Sequence, residues 1–431
     1  MAQHIDRRKL LATIGGTSIL GIAGCLGDDD DDDTDDTDDA ADTADDGDDS
    51  DDAQLEAIDL GILMGVTGGL EQLGPPIRDA AEVAVDQVND GDVDLEVNTQ
   101  FEDTGTNPDD GIMGAESIRD AGVPMFVGAL ASDVSIPVAE SVAIPDGLVM
   151  NSPASTAPAY TDLEGDYTFR TTISDAYQGL VLAEVARDRL GAETAAWIGR
   201  DDPYGRGLGE QFALAFENEG GEVTAEVTID YEQDQFVSQL EDALSDDPDV
   251  LFIVAFPEEG VPLLSDLFGN FDTDEFDILF PDGLRDEGLP GNVGEDFTGI
   301  TGTAPGVEDD LSAGIDYFEQ QVDDSRGPFV RQGYDAAATL ILAHAAAGSD
   351  DPDEIRDHLR AVTDPGGEVI TAENLVEGVE LALAGEEIEY QGVSGSIEFD
   401  ENGDVLEGAF EYYEFTEDGI ETIEILTVEE N

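Results

Sequence analysis

Ser132 and Thr156 stand at the ends of two successive apolar runs, and chemistry would gather there. The first run, Pro124–Ala129, leads into Ala129-Leu130-Ala131-Ser132. The second, Leu148–Met150, leads into Ser152-Pro153-Ala154-Ser155-Thr156-Ala157, and a helix is expected between them over Val134–Ala143. The pattern reads as strand, corner, helix, strand, corner. Two neighbouring strand ends then offer two hydroxyls beside unpaired backbone N–H groups, a donor set suited to the carboxylate of a small molecule. Ligands of open α/β sheets sit in the crevice at such ends. Two capped turns with no ligand fit the same spacing.

Two more residues occupy comparable positions. Ile278-Leu279-Phe280 reads as a buried strand running into Pro281-Asp282-Gly283, which puts a carboxylate at its C-terminal end. A capping Asp in a Pro-Asp-Gly turn is the plainer reading of that motif taken alone. Phe256 ends another apolar run, Val250–Ala255, and is a candidate wall. Enzyme constellations are missing. The chain has no G-x-S-x-G, no P-loop and no G-x-G-x-x-G at the glycine-rich corner Thr67-Gly68-Gly69. Its three histidines, His4, His344 and His358, have no companions in register for zinc. The sequence Asp400, Asn402, Asp404 lacks the later Glu of a calcium loop and reads as an Asn-Gly turn. No metal, no cofactor and no catalytic residue are expected.

The elements that must position these corners alternate along the chain. Strands are expected at Leu55–Gly65, Leu95–Phe101, Ala195–Ile198, Val223–Ile229 and Val250–Ala255. Helices are expected at Ile77–Asn89, Pro108–Asp120, Tyr177–Leu190, Phe212–Asn218 and Phe236–Leu244. Such alternation indicates parallel α/β units. Further helices follow at Ser312–Val322, Phe329–Ala347 and Asp353–Val362. Gly395–Asp400 leads through Asn402-Gly403 into Ala409–Phe415 as an expected hairpin, and Ile420–Val428 is the last strand.

Charge dominates the composition. Asp and Glu number 105 against 15 Lys and Arg, a formal charge of −90. Setting aside the 17 Asp of the run Asp28–Asp52 and the leader's small positive charge leaves about −75 on Ala53–Asn431, whose only cations are arginines. Such self-repulsion opposes a compact state in dilute buffer, but in molar salt the Debye length falls to about 3 Å. A folded halophilic protein, archaeal in type, accounts for this, and nucleic acid is excluded as a partner. The absence of lysine in this region excludes Schiff-base chemistry there.

Residues 1–24 read as a targeting segment. Arg7-Arg8-Lys9 precedes an apolar stretch, Leu10–Ile22, and resembles a Tat export signal. Ile22-Ala23-Gly24-Cys25 resembles a lipobox, so Cys25, the single cysteine, is expected to carry a lipid. Residues 25–54 would then form an extended acidic tether to the outer face of the membrane.

The segments Val127-Gly128 to Ser132 and Ser152-Pro153-Ala154-Ser155-Thr156-Ala157-Pro158 resemble the ligand loop of branched-chain amino-acid-binding proteins of ABC transporters. These are the Leu/Ile/Val-type extracytoplasmic solute-binding proteins. Further matches in order cover roughly Leu55 to the C-terminus. The resemblance implies a type I periplasmic binding protein fold: α/β, two Rossmann-like lobes, a ligand cleft between them and three interlobe crossings. Lobe one would be 55–173 with 304–392, and lobe two 174–303 with 393–431. The chain would cross at Phe169-Arg170-Thr171-Thr172 and return near Gly299–Thr303. Ser132 and Thr156, with backbone groups of Ala131 and Ala154, would take an amino-acid carboxylate. Asp282 matches the acidic residue, usually Glu, that pairs with the ammonium, and Tyr204 matches an aromatic that closes over the ligand. Leu73 stands where the family usually has an aromatic ring. Gly333-Tyr334-Asp335-Ala336-Ala337 matches a recurrent family segment, read as core packing. Family members also bind amides, urea or aromatic acids, so the same fold binding an amide, urea or other small carboxylate is one alternative, and a surface sensory or structural ligand-binding domain is another. The implied partners are an ABC permease and its ATPase, with the protein acting as a monomer at the cell surface.

Overall fold

The computed structural model describes residues 4–6, 55, 57–307, 314–322 and 327–429. Cys25, the acidic run and all but three residues of the leader lie outside them. Two parallel sheets carry the molecule. The first contains β1 (Ala57–Met64), β2 (Glu96–Asp103), β3 (Met125–Gly128), β4 (Val149–Ser152) and β5 (Thr168–Arg170) in the order β2-β1-β3-β4-β5. β3 and β4 are buried at every position, as expected of parallel strands covered on both faces.

The second sheet contains β6 (Thr194–Arg200), β7 (Glu222–Ile229), β8 (Val250–Val254), β9 (Asp277–Phe280) and β10 (Thr301–Gly306), parallel in the order β7-β6-β8-β9-β10. β11 (Glu407–Thr416) and β12 (Gly419–Glu429) extend it antiparallel. His4–Asp6 runs parallel along β12. A small third sheet joins Glu368–Ile370, Ile388–Gly392 and Gly395–Ser396.

Both large sheets repeat the order second-first-third-fourth-fifth. Each therefore has its switch point between its first and third strands, and the C-terminal ends there form a crevice. The helices that matter at these ends are α1 (Gly74–Asn89), α2 (Ser132–Val138), α3 (Asp175–Glu184), α4 (Pro203–Asn218), α5 (Pro257–Asn270) and α6 (Val330–Ala347). α1 buries Ile77, Ala80, Ala81, Ala84, Val85 and Val88, the single stripe that helical periodicity requires. α6 is buried along most of its length and touches α1 closely. A Cβ on Gly333 would lie 2.5 Å from the Ile77 carbonyl oxygen.

Several boundaries differ from the sequence reading for physical reasons. α2 begins at Ser132 rather than Val134, and the helix becomes π-helical over Ala139–Ala143, just beyond Pro137, which cannot donate a helical hydrogen bond. The expected hairpin through Asn402-Gly403 is reduced to one bridge, Phe399 to Val405. The true hairpin pairs β11 with β12, because Gly395–Ser396 is already paired with Gln391–Gly392. β10 lies in the second sheet, so the segment around Gly299–Thr303 leads into that sheet before the chain leaves it. The helices Pro257–Asn270 and Leu375–Leu383 were not anticipated.

Arg170, fully buried at the end of β5, ties these segments together. Its guanidinium donates to both Asp404 carboxylate oxygens (2.6 and 2.7 Å), to Thr161 Oγ1 (2.7 Å) and to the carbonyls of Ser155 and Ala157 (3.1 Å each). All five donors of the fork are used, which a lysine could not reproduce. Asp335 on α6 holds a second connection. It accepts from the Tyr390 hydroxyl, from the amides of Val393 and Ser394 and from the Ser394 hydroxyl.

Candidate functional site

The corner after β3 and the corner after β4 are stitched to each other. Ser132 Oγ accepts from the Ala157 amide at 3.2 Å. Beneath them Ser152, Ser155 and Ser135 form a buried hydroxyl chain that reaches the carbonyl oxygens of Ala129 and Leu130. Small residues are needed here because the corners approach within hydrogen-bonding distance. Accepting from Ala157 leaves the Ser132 proton available to donate, and the Ser132 amide, in the first helical turn, has no intrahelical acceptor. Thr156 behaves differently from the sequence expectation, since its hydroxyl gives its proton to Asp175 Oδ2 at 3.0 Å.

The second lobe supplies the opposite wall. Asp202 caps α4, accepting from the Gly205 amide at 2.8 Å, and so sets Tyr204 at the cleft. Tyr204 stacks on Phe256 with centroids 5.3 Å apart and an interplanar angle of 15°. Phe256 is fixed in turn by Glu259, which accepts from its amide at 2.7 Å, and by Arg200, whose guanidinium lies 4.1 Å from the ring centroid. Asp282 follows β9 and is 3% exposed. The Tyr204 hydroxyl reaches its Oδ2 at 3.4 Å, while Oδ1 has no hydrogen-bond partner. Gly283 must be glycine, because a Cβ would stand 2.6 Å from the Ala255 carbonyl oxygen and 2.9 Å from Tyr204 Oη.

All eight residues singled out from the sequence, Leu73, Ala131, Ser132, Ala154, Thr156, Tyr204, Phe256 and Asp282, line one cavity between the lobes. Leu70, Ile77, Leu130, Gly283 and Phe329 complete it. The enclosed space is only about 20 Å³, room for a water molecule, so an amino-acid-sized ligand requires the lobes to part. Leu130 and Gly283 sit beside named residues and were legible from that adjacency. Phe329, at the start of α6, has φ 62° and is held there by its surroundings. No spacing signal marks it.

Asp175 is the residue sequence reasoning missed most plainly. It follows the N-cap Ser174 at the start of α3 and reads as an ordinary first-turn acid. In the fold it is fully buried, takes the Thr156 hydroxyl on one oxygen and leaves the other unpartnered. Burial, and next the charge of Asp282, hold its carboxyl well above the ordinary range. Burial likewise raises Asp282, against the opposing pull of Gln178 and the Tyr204 hydroxyl. Asp282, with one oxygen free, is the one carboxylate lining the cavity, and Asp175 adjoins the lining through the Thr156 hydroxyl. Hydroxyl and amide donors of the Ser132 corner line it from lobe one. That division suits a zwitterion: a cation relieves the repulsion between the two acids, and the donors take an anion. Among the described residues no group of three or more His, Cys, Asp or Glu could hold a metal ion, and no helix is long and apolar enough to cross a membrane.

Residues 57–375 match the family model described as periplasmic binding protein. A substrate-binding protein of a chemotactic signal transduction system from Halobacterium salinarum, BasB, is 26% identical, over 70% of this chain and 72% of its own length. A leucine-, isoleucine-, valine-, threonine- and alanine-binding protein from Pseudomonas aeruginosa is 25% identical over 85% of this chain and 92% of its own. The crystal structure of the leucine-binding protein LivK from Thermotoga maritima superposes with a TM-score of 0.71 at 22% identity, covering 86% of this chain and 98% of that one.

Proposed function

The chain belongs to the periplasmic binding protein family, as a solute-binding protein of the branched-chain amino-acid type and not an enzyme, and on that premise we propose that it captures a branched-chain or closely related amino acid for an ABC importer. The observation that carries this is the polarity of the cavity. Ser132 and the amides of its corner, with the backbone at Ala131 and Ala154, take the ligand carboxylate from lobe one. Asp282 takes the ammonium from lobe two, and Asp175, held by Thr156, supports it. Leu73, Tyr204 and Phe256 enclose an apolar side chain. Because lobe one binds one charged end and lobe two the other, the ligand stabilises the closed arrangement over the open one. The closed form docks on a permease with its ATPase. Lobe one is 55–173 with the part of 304–392 that follows β10, and lobe two is 174–303 with the rest of β10 and 393–431. Cys25 carries a lipid, residues 25–54 form the tether, and the protein works as a monomer at the cell surface in molar salt.

A thermal-shift panel on the chain in multimolar KCl tests the ligand. Leucine, isoleucine or valine should raise the melting temperature with saturating dose, since a ligand stabilises the state it binds. 4-Methylpentanoate, which is leucine without its ammonium, should not. A shift with 4-methylpentanoate alone would remove Asp282 from its role while keeping the cleft. The likeness to BasB supports a second reading of the partner, in which the closed form meets a sensory transducer instead of a permease.

A further inference from the structure

Arg200, at the end of β6 in lobe two, is 3% exposed and carries more carboxylates than its charge can balance. Asp202 Oδ2 meets its Nε at 2.5 Å and Glu259 Oε1 meets one terminal nitrogen at 2.8 Å, and both acids belong to the same lobe. Asp133, in the first turn of α2, approaches from lobe one as a third acid at the longer distance of 3.3 Å. Its side chain is 10% exposed, its Oδ2 has Arg200, and its Oδ1 has no hydrogen-bond partner. The faces of Phe256 and Tyr231 cover the guanidinium at 4.1 and 4.2 Å. Two acids of its own lobe thus already outnumber the single charge of Arg200, and Asp133 meets its remaining nitrogen, Nη2. Closing the cleft adds one more buried negative charge to a cluster that is already negative.

We propose that Asp133 opposes closure of the cleft while it is ionised and ceases to oppose it once protonated, so that its own effect on ligand binding is unfavourable in neutral medium and fades in acid. The groups facing Asp133 are Arg200, Asp202 and Glu259, together with the Tyr231 phenol. Burial raises the Asp133 carboxyl to about 6, with Arg200 pulling it down and Asp202 and Glu259 adding to the rise. With the lobes apart the same carboxyl is solvated and titrates near its ordinary value. Closure therefore takes up a proton between those two values, and it becomes easier as pH falls through about 6. Removing the carboxylate should help closure at neutral pH, whereas a conventional interlobe clasp would be broken by the same change.

The test compares the full chain with Asp133→Asn, and with Asp133→Ser as a second variant, in molar KCl at pH 7.5 and 5. Leucine is the probe, so this arm rests on the proposed ligand. At pH 7.5 the variants should bind leucine at least about tenfold more tightly than the parent, and the gap should narrow at pH 5 and close only below the ordinary carboxylate range, where Asp133 is protonated with the lobes apart as well. Small-angle scattering of the ligand-free chains gives an arm independent of the ligand. The variants should be more compact than the parent at pH 7.5, and the difference should narrow at pH 5. If leucine binds none of the chains, the amino-acid reading fails and the scattering still decides the role of Asp133. Equal or weaker leucine binding by the variants at pH 7.5, or no gain in compactness, would overturn the proposal.

Discussion

Replacing Asp282 by asparagine should move binding and stability in opposite directions. Asparagine keeps the shape and can still accept from Tyr204, but it carries no charge. In the ligand-free protein the ionised carboxylate is buried, has one oxygen unpartnered and stands close enough to Asp175 to raise its carboxyl. A buried charged group lacking a partner costs about 1–3 kcal/mol or more, so Asp282→Asn should stabilise the free protein by about that amount. The sign follows from linkage. Burial raises the Asp282 carboxyl, so wild-type stability is greatest where that group is protonated and falls as pH rises through its raised value. The gain from asparagine therefore appears in neutral and alkaline solution and vanishes in acid. Binding responds the other way, because a charge-assisted hydrogen bond to the ammonium is lost. Affinity for leucine should fall by about 1.5–3 kcal/mol, roughly ten- to 150-fold. The assay is calorimetric titration with leucine, paired with thermal melts without ligand, both in molar KCl. A buried site is screened little by that salt. A variant that binds leucine as tightly as the parent, or one that is destabilised without ligand at pH 8, would refute the reasoning.

Three further outcomes follow from the geometry. Arg170→Met should cost about 3–5 kcal/mol of stability, because it strands Asp404 and two carbonyls of the Ser155–Ala157 corner. Thermal melts would show it as a large drop, and an unchanged melting temperature would count against Arg170 as the tie between these segments. Gly283→Ala should weaken leucine binding at least about tenfold and also cost about 1–3 kcal/mol of stability, since its Cβ meets Tyr204 and the Ala255 carbonyl oxygen in the cavity wall; titration and thermal melts read the two effects. Lowering KCl from molar to about 0.1 M lengthens the Debye length from about 3 to about 10 Å. Circular dichroism should then show unfolding driven by the charge on the chain.

Much of this site is legible in the residue order, and the reason is local. Ser132, Thr156 and Asp282 each stand where an apolar run stops, and parallel sheets put such stops on one edge. What could not be read is whatever depends on contact between distant segments. Asp175 looks like a helix-opening acid, and only the fold brings it against Thr156 and beside Asp282. Thr156 is correctly placed as a corner residue, but its proton goes to a side chain 19 positions away. Phe329 reaches the cavity through a left-handed backbone at the head of α6. The Asn402-Gly403 turn carries the expected sequence signal. The hairpin forms elsewhere because β11 finds partners in β10 and β12.

A crystal structure of the chain grown with leucine in molar KCl tests the central claim most directly. The account predicts one leucine in the cleft, its carboxylate on Ser132 and the Ala131 and Ala154 corners, its ammonium on Asp282, and its side chain against Leu73, Tyr204 and Phe256. A leucine held entirely by one lobe, or one with its charged ends reversed, would contradict it.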